Sequence, residues 1–327
     1  MKTALIAFIV SVVTAVLLGK AVIPLLKKLK LGQNILSYVK EHGYKSGTPT
    51  MGGVIFVFAA VLSFIIFAAG KKSLALMSVA IGIAYMSVGF IDDFIKVGFH
   101  RNEGLNPLQK TIFELVIAIV VAFYGYKKGI TKLYLPFSDY TVDLKCFFVP
   151  FCVIVFFATT NSVNLTDGLD GLAGGVSYVC FLAFATLIKL QTVKYSGFYV
   201  NADEYGNLAL LCVVLAGGLI GFLLFNTYKA KVFMGDTGSL SIGGFIASIG
   251  IFSGNSLFIP LIGITFAASS ISVILQVIHF KRTGKRIFLM APLHHHFQHK
   301  GYSESKIVFA YKLVTLLASL GCLIMYV

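Results

Sequence analysis

Residues 73–97 read SLALMSVAIGIAYMSVGFIDDFIKV, an uncharged stretch that runs into two adjacent aspartates. No charged side chain occurs in residues 73–91, and about 20 such residues are enough for a helix to cross the hydrocarbon core of a bilayer. Asp92 and Asp93 then fall at a membrane edge, where neighbouring carboxylates repel each other unless a cation is close. The stretch therefore predicts a membrane-spanning helix that brings an acidic pair to an interface.

The same hydrophobic pattern recurs along the whole chain. Its 327 residues are 57% hydrophobic and 12% charged, with a mean hydropathy of +0.89, which is too apolar for a soluble globular domain. We expect an all-α polytopic membrane protein with a single domain over residues 1–327. Hydropathy predicts about ten transmembrane helices, at residues 3–23, 51–69, 73–91, 109–126, 146–163, 173–190, 207–225, 239–253, 257–280 and 307–326.

Charge asymmetry gives the expected orientation. Ten spans place the connecting segments alternately on two sides, which hold 16 and nine Lys and Arg residues. The more basic side is expected to be cytoplasmic, which leaves both termini outside. The outer segment 128–145 alternates around a Ser-Asp turn and predicts a short periplasmic β-hairpin. The net charge of +14 fits loops beside anionic lipid and anionic substrates, so no nucleic-acid partner is expected.

Carboxylates are scarce and concentrated. Of 13 acidic residues, five lie in three Gly-flanked motifs that this topology places on the cytoplasmic side, at Asp92, Asp93, Asp167, Asp170 and Asp236. The first pair indicates a metal- or phosphate-handling site with Lys96 as a counter-charge, with a solvated helix end as the alternative. Asp236 in GDTG can either ligate a metal or cap the following helix. Hard oxygen ligands without cysteine favour Mg²⁺ or Mn²⁺.

Two further motifs carry polar groups. Asn164, Asp167 and Asp170 are spaced by three, which puts them on one face if the segment is helical; an Asx-rich turn is the alternative.

Residues 291–297 read APLHHHF. Because consecutive residues cannot all face one point, at most two of the three histidines can reach a shared ligand. Contact with phosphate or sugar oxygens is favoured over zinc, since no Cys or Glu has a suitable spacing.

Two isolated features are less specific. The sequence KSGTPTMGG at 45–53 can cradle a phosphate through its glycines and hydroxyl groups, or form an ordinary loop. Gln276 lies within the ninth predicted span, where a polar side chain is expected to face a polar cavity.

Taken together, these motifs resemble the phospho-N-acetylmuramoyl-pentapeptide transferase family of the polyprenyl-phosphate N-acetylhexosamine-1-phosphate transferase superfamily. The resemblance covers nearly the whole chain, in matching order: KSGTPTMGG, GFIDDFIKV, GLNPLQK, NSVNLTDGLDGLAGG, FNTYKAKVFMGDTGSL and APLHHHF. Two positions depart from the family pattern. Lys229 replaces a usual proline, and Gln298 replaces a usual glutamate. Both lie beside the motifs and bear on loop geometry and peptide contacts.

The resemblance implies a Mg²⁺-dependent transfer of phospho-MurNAc-pentapeptide from UDP-MurNAc-pentapeptide to undecaprenyl phosphate. The products would be lipid I and UMP, in the first membrane step of peptidoglycan synthesis. A bacterial inner-membrane location, a catalytic cleft on the cytoplasmic face and a homodimer are further expectations. A UDP-N-acetylglucosamine:undecaprenyl-phosphate transferase is the closest alternative and differs in its donor. A transporter would instead distribute polar residues through the spans to both faces.

The resemblance also implies roles for individual residues. The catalytic group would be Asp92, Asp93, Asp236, His294, His295 and His296, with Asp236 as the leading Mg²⁺ ligand and Asp93 or Asp92 assisting. Asp92 would be the base for direct attack by the lipid phosphate, and an aspartate that attacks first and forms a covalent intermediate is the alternative. Substrate contacts would come from Lys45, Thr50, Lys96, Lys110, Asn164, Asp167, Asp170, Asn226, Phe233 and Gln276. The uridine pocket would include Phe233, stacked on the base. The acyl chain would lie in an apolar groove along the ninth predicted span.

Overall fold

The structure is a computed structural model that describes residues 2–29, 47–99, 103–194 and 201–326. Within these ranges the chain forms twelve α-helices and one small sheet. The helices are α1 (Lys2–Lys28), α2 (Gly53–Phe67), α3 (Ser73–Gly98), α4 (Pro107–Lys127), α5 (Phe148–Thr166), α6 (Leu172–Lys194), α7 (Ala202–Asn226), α8 (Gly235–Phe252), α9 (Ile259–Ile262), α10 (Ile264–Thr283), α11 (Leu293–His299) and α12 (Glu304–Leu323).

The prediction of a mostly helical, multi-pass membrane protein is confirmed. Eight helices are long and apolar enough to cross a membrane: α1, α3, α4, α5 with the turn before it, α6, α7, α10 and α12. Among the described residues, α2 is apolar but has only 15 residues, and α8 is not one of the eight. The ninth predicted span, 257–280, is divided at Gly263 into α9 and α10. The count of ten spans stays a prediction.

The sheet has two strands, β1 (Lys132–Tyr134) and β2 (Thr141–Asp143). They pair antiparallel, with Leu133 opposite Val142. Both lie within 128–145, the segment for which a hairpin was predicted. The Tyr134 N–H donates to the Gly254 carbonyl, 2.8 Å away, which fastens this sheet to the C-terminal end of α8. Its side of the membrane stays a prediction.

Close packing of α3 against α8 sets the position of the polar motifs. Nearly every residue of α8 is buried. Gly82 of α3 lies against the ring of Phe245, and Gly89 lies against the backbone of Asp236. Small residues at such contacts let two helix backbones approach closely. As a result, the first turn of α8 lies beside the C-terminal turns of α3, which carry Asp92 and Asp93.

We expect Gly89→Ala to destabilise the fold. A Cβ there would come within 2.1 Å of the Asp236 carbonyl oxygen, and overpacking of this kind costs about 1–3 kcal/mol. Gly98→Ala is the matched control in the same helix, because among the described residues a Cβ at Gly98 meets only the Phe94 ring, at 3.9 Å. Thermal unfolding in detergent should show a lower Tm for the first variant and an unchanged or higher Tm for the second. Equal Tm values would contradict the packing argument.

Candidate functional site

Three carboxylates meet at one end of the helix bundle. Asp92 and Asp93 come from the C-terminal part of α3, and Asp236 comes from the first turn of α8. One carboxylate oxygen from each of the three lies within 4.8 Å of the other two. The side chains of Asp92 and Asp93 are buried, and Asp236 is partly exposed. The sequence motifs GFIDDFIKV and VFMGDTGS thus form one acidic cluster.

Asp93 caps α8. Its Oδ1 accepts the backbone N–H of Asp236 at 3.2 Å, and its Oδ2 accepts both the N–H and the hydroxyl of Thr237, at 3.0 and 2.7 Å. The first N–H groups of a helix have no partner within the helix, so a buried carboxylate there satisfies them. Capping was the alternative role considered for Asp236, but it is the neighbouring α3 that supplies the cap. Asp93 therefore fixes the position of Asp236.

Lys96 bridges Asp92 and Asp236, and Lys110 forms a further ion pair with Asp236. The Lys96 ammonium lies 2.5 Å from Asp92 Oδ2 and 3.1 Å from Asp236 Oδ2, and Lys110 lies 2.9 Å from that same Asp236 oxygen. The Leu105 N–H donates to Asp92 Oδ1 at 2.8 Å. With all three carboxylates and both ammonium groups ionised, the cluster has a formal net charge of −1.

The residues fit a hard divalent cation. All donors in the cluster are carboxylate oxygens, which Mg²⁺ and Ca²⁺ prefer, and the net negative charge attracts a cation at short range. All three carboxylates accept hydrogen bonds, but both Asp93 oxygens are held by the first turn of α8. Asp92 and Asp236 instead face mobile lysine side chains, so they are the residues that can most directly hold the ion. The acidic cluster can therefore bind a metal.

The capping of α4 places Lys110. Asn106 accepts the Leu108 N–H, and Gln109 Oε1 accepts the Asn106 N–H, which completes a capping box with Pro107 at the first helical position. Lys110 then lies in the first turn of α4, facing Asp236. The sequence GLNPLQK thus orients one of the cations of the site.

The NLTDGLD segment is not one continuous helix. Asn164, in the last turn of α5, donates to Asp236 Oδ1 at 2.8 Å and to Ser239 Oγ at 2.9 Å. The helix ends at Thr166, and Asp167 occupies its C-cap with φ −79° and ψ 55°. The expectation that Asn164, Asp167 and Asp170 share one helical face is wrong, because the chain turns after α5. Burial and the negative charges of Asp236, Asp93 and Asp170 raise the pKa of the Asp167 carboxyl to about 8.

Asp170 belongs to a separate hydrogen-bonded turn. Its Oδ2 accepts the Ala230 N–H at 3.0 Å, and the next residue, Gly171, donates its N–H to Asn226 Oδ1 at 3.1 Å. Asn226 also donates to the Val232 carbonyl at 2.9 Å. The turn after α5 and the loop after α7 are therefore bound to each other, and both run beside the acidic cluster.

The GTPTMGG loop reaches the same place. Phe233 donates its N–H to the Pro49 carbonyl at 2.8 Å and accepts the Gly52 N–H at 2.9 Å. A Cβ on Gly235 would lie 2.5 Å from the Thr50 hydroxyl, so Thr50 contacts the turn that leads into α8. Lys45 lies outside the described residues, and its contact with substrate stays a prediction.

The triple histidine lies on the short helix α11. His294 is fully buried and its ring lies 4.4 Å from that of His295. Both Nε2 atoms lie against Gly168, where a Cβ would come within 3.0 Å of each. His296 accepts the Leu289 N–H at 3.1 Å and packs edge-on against the Phe288 ring, which takes it away from Gly168. Two of the three imidazoles thus approach the turn after α5, in line with the limit set by consecutive residues.

Comparison with known proteins identifies the family. The family model of glycosyl transferase family 4 matches residues 74–254, and signature 1 of the phospho-N-acetylmuramoyl-pentapeptide transferases matches residues 45–57. A phospho-N-acetylmuramoyl-pentapeptide transferase of Thermoanaerobacter sp. (strain X514) is 44% identical over 315 residues, which are 96% of each chain. The chain belongs to the phospho-N-acetylmuramoyl-pentapeptide transferase family.

Two further relatives of the same name agree with this assignment. The transferase of Caldanaerobacter subterraneus subsp. tengcongensis is 44% identical over 313 residues, or 95% of each chain. That of Clostridium perfringens (strain 13 / Type A) is 42% identical over 310 residues, or 94% of each chain. The resemblance drawn from the sequence motifs is therefore confirmed, and the chain is a transferase of this class.

The two departures from the family pattern lie in different parts of the chain. Lys229 is exposed on the loop after α7. Gln298 follows the histidines on α11, and its Oε1 lies 2.8 Å from His295 Nδ1. The second departure therefore touches a candidate site residue directly, whereas the first changes an exposed loop position.

Burial of His294 predicts a pH-dependent stability of this transferase. Burial, and then the neighbouring His295, lower the pKa of His294 to about 3, whereas an unfolded histidine titrates near 6.5. Below pH 6.5 the unfolded chain binds a proton that the folded chain excludes, so stability falls as the pH falls. Between pH 6.5 and pH 5.0 the expected loss is about 2 kcal/mol.

The measurement compares wild type with His294→Gln by chemical unfolding in detergent at several pH values. Asp167 has the opposite sign, because its raised pKa removes stability as the pH rises from about 4 toward 8. Since both proteins retain Asp167, the difference between them isolates His294. Parallel pH profiles for the two proteins would contradict the assignment.

Gln276 braces the segment that carries the histidines. Its Oε1 accepts the N–H groups of Ile287 and Phe288, at 3.1 and 3.0 Å, and its Nε2 donates to the Phe288 carbonyl at 3.3 Å. One turn earlier on α10, Ser272 accepts the Leu293 N–H at 3.0 Å. These contacts hold the connection between α10 and α11, and a contact of Gln276 with substrate stays a prediction.

Several residues of the site carried no signal in the sequence. Thr237 follows a recognised aspartate and contributes through its hydroxyl group to the Asp93 cap. Glu304 lies in an ordinary charged helix start, SESK, yet it is buried and accepts the Asp170 N–H at 2.5 Å. The contribution of Leu105 comes from its backbone N–H, which composition cannot reveal.

Proposed function

We propose that this transferase moves phospho-MurNAc-pentapeptide from UDP-MurNAc-pentapeptide to undecaprenyl phosphate, forming lipid I and UMP. This would be the first membrane step of peptidoglycan synthesis. The observation that carries the proposal is the cluster of three aspartates and two lysines at one end of a membrane bundle. There a soluble anionic donor and a membrane-bound anionic acceptor can meet. The names of the relatives support the identity of the donor.

The proposed reaction is a direct phosphoryl transfer. An oxygen of the lipid phosphate attacks the β-phosphorus of the donor, the bond to the bridging oxygen breaks, and UMP leaves with that oxygen. Asp92 takes the proton of the lipid phosphate in this scheme. Lys96 and Lys110, already placed beside Asp236, orient the donor phosphates. A phosphoanhydride is broken and another is formed, so no further energy source is needed.

Charge repulsion is the barrier that the site must lower. Two like unit charges about 4 Å apart repel by roughly 4 kcal/mol at an effective dielectric of 20. The cofactor of the proposal is Mg²⁺, which would be held by Asp236 and Asp92 and would supply positive charge to the phosphates. Asp93 would support both through its cap on α8. His294 and His295, whose rings approach the turn after α5 at Gly168, would contact donor phosphate or sugar.

The nucleotide would bind between the turn after α5 and the loop after α7. Asp170 and Asn226 are held there by their mutual loop contacts, and Asp167 lies in the same turn. Phe233 has a half-buried ring on that loop, suited to stacking on the uracil base. Thr50 would line the same pocket from the loop before α2. Lys45 lies outside the described residues, and its contact with the donor is part of the proposal.

The acceptor chain would lie in an apolar groove. A cavity of about 260 Å³ separates α5 from the segment that includes α9 and the start of α10, and Phe151, Ile154, Pro260 and Phe266 line it. Ser162, which also lines the groove, precedes Asn164 by two residues. A polyprenyl tail in this groove would place its phosphate group near Asn164 and the acidic cluster.

The proposed setting is the bacterial inner membrane. Ten spans would leave both termini and the β1–β2 hairpin outside and place the catalytic cleft on the cytoplasmic face. The connecting segments on that face would hold 16 Lys and Arg residues, against nine on the other side, as the positive-inside tendency predicts. The whole chain would form a single catalytic domain. The homodimer implied by the family resemblance stays a prediction.

The test is UMP release by the purified chain in detergent. UDP-MurNAc-pentapeptide, undecaprenyl phosphate and Mg²⁺ should all be required, and each omission should reduce release to background. UDP-N-acetylglucosamine serves as the control donor. Release with the control donor alone would assign the chain to a different donor, and no release with either donor from folded protein would refute the proposed function.

A further inference from the structure

Glu304 is a buried carboxylate that none of the site motifs contains. It is the first residue of α12, and 8% of its surface is exposed. Its Oε1 accepts the N–H of Asp170 at 2.5 Å, across 134 positions of sequence. Burying a carboxylate is costly unless it accepts hydrogen bonds, so this contact is a specific feature of the fold.

The contact fastens the turn on which the nucleotide would bind. Asp170 is bound to Glu304 through its backbone and to Ala230 through its side chain, and Gly171 is bound to Asn226. Gly171 has a φ of +75°, a conformation that glycine adopts readily. The turn is thus held from two sides, by Glu304 at the start of α12 and by the loop after α7.

We propose that Glu304 is a positioning residue for the nucleotide end of the donor pocket. It acts through Asp170 and Asn226, by holding the turn after α5 in the conformation that brings these two side chains together. This inference rests on the proposed function, since it assumes that a uridine nucleotide binds at that turn. The lipid groove between α5 and α10 lies outside this set of contacts, so acceptor binding should not depend on Glu304.

A merely structural role is the alternative, and the chain offers a matched control for it. Glu204, at the first turn of α7, is also 8% exposed. It accepts the Ser73 hydroxyl at 2.6 Å and the Leu74 N–H at 2.9 Å. It lies at the end of α7 opposite Asn226. Glu204→Ala should therefore lose stability without changing nucleotide binding.

The experiment measures UMP binding to the full chain by calorimetry, together with separate KM values for donor and acceptor. Glu304→Ala should raise the Kd for UMP and the donor KM about tenfold, as expected when a hydrogen bond to a charged group is lost. The acceptor KM should stay within about twofold. Glu304→Gln keeps the accepting oxygen, so its Kd for UMP and donor KM should stay within about threefold of wild type. Glu304→Asp keeps the charge but is one methylene too short to reach the Asp170 N–H, so its values should resemble those of Glu304→Ala.

The outcomes separate the two proposals. Wild-type protein that releases no UMP with either donor would refute the proposed function, and this inference with it. If wild type binds UMP, unchanged binding in Glu304→Ala, or an equal loss in Glu204→Ala, would overturn the positioning role alone. A Glu304→Gln variant as weak as Glu304→Ala would overturn the hydrogen-bond argument. Thermal unfolding of each variant identifies protein that fails to fold, and Glu304→Gln and Glu304→Asp then decide the result.

Discussion

Asp236→Asn should reduce kcat about a thousandfold, with little change in the donor KM. The Asp236 carboxylate accepts hydrogen bonds from Lys96, Lys110 and Asn164, at 3.1, 2.9 and 2.8 Å. An asparagine at this position would present an amide group to two ammonium groups, and the net charge of the cluster would rise from −1 to zero. Both changes weaken the attraction for a divalent cation, and losing one preorganised electrostatic group costs about 10²–10³ in rate.

UMP release, measured over a titration of Mg²⁺, is the suitable assay for this variant. Its control is Asp203→Asn, which changes an exposed aspartate in the first turn of α7. The kcat of this control should stay within about twofold of wild type. A variant at Asp236 that kept more than about a tenth of wild-type turnover at high Mg²⁺ would contradict the central place of this carboxylate.

The arrangement of helices was largely accessible from sequence, because hydropathy is a local property that sums along each segment. Each of the ten predicted spans overlaps a helix, and eight helices are long and apolar enough to cross a membrane. The count of ten spans and their alternation stay predictions. The division of the ninth span at Gly263 was not predicted, since a single break in a helix barely changes mean hydropathy.

The assignment of roles within the site was less accessible. Asp92 and Asp93 are neighbours with the same chemistry, yet Asp92 pairs with Lys96 and Asp93 caps α8. That difference follows from their positions around α3 relative to a helix 140 residues away in sequence. Likewise, the end of α5 at Thr166 separates Asn164 from Asp170, and only tertiary contacts reveal Glu304 as a partner of the turn.

Asp93→Asn should therefore lower both stability and activity, by a different route from Asp236→Asn. An asparagine at position 93 can accept through one oxygen only and would direct its amide group at an N–H or hydroxyl donor of Thr237. Leaving a buried donor without a partner costs about 1–3 kcal/mol. The first turn of α8 would shift and carry Asp236 with it, so we expect kcat to fall at least about a hundredfold.

A double-mutant cycle with Thr237→Val distinguishes positioning from direct metal binding. Thr237 Oγ1 lies 2.7 Å from Asp93 Oδ2, so the two substitutions should be non-additive in the free energy of unfolding by about 0.5 kcal/mol or more. Thr186→Val is the control, because the hydrogen bond of that exposed hydroxyl among the described residues stays within α6, at the Leu182 carbonyl. If Asp93 were chiefly a metal ligand, its cycle with Thr237 would be additive and the Mg²⁺ requirement of Asp93→Asn would rise sharply. A positioning role predicts coupling in the cycle and a half-maximal Mg²⁺ concentration within about threefold of wild type, because Asp92 and Asp236 would still hold the ion.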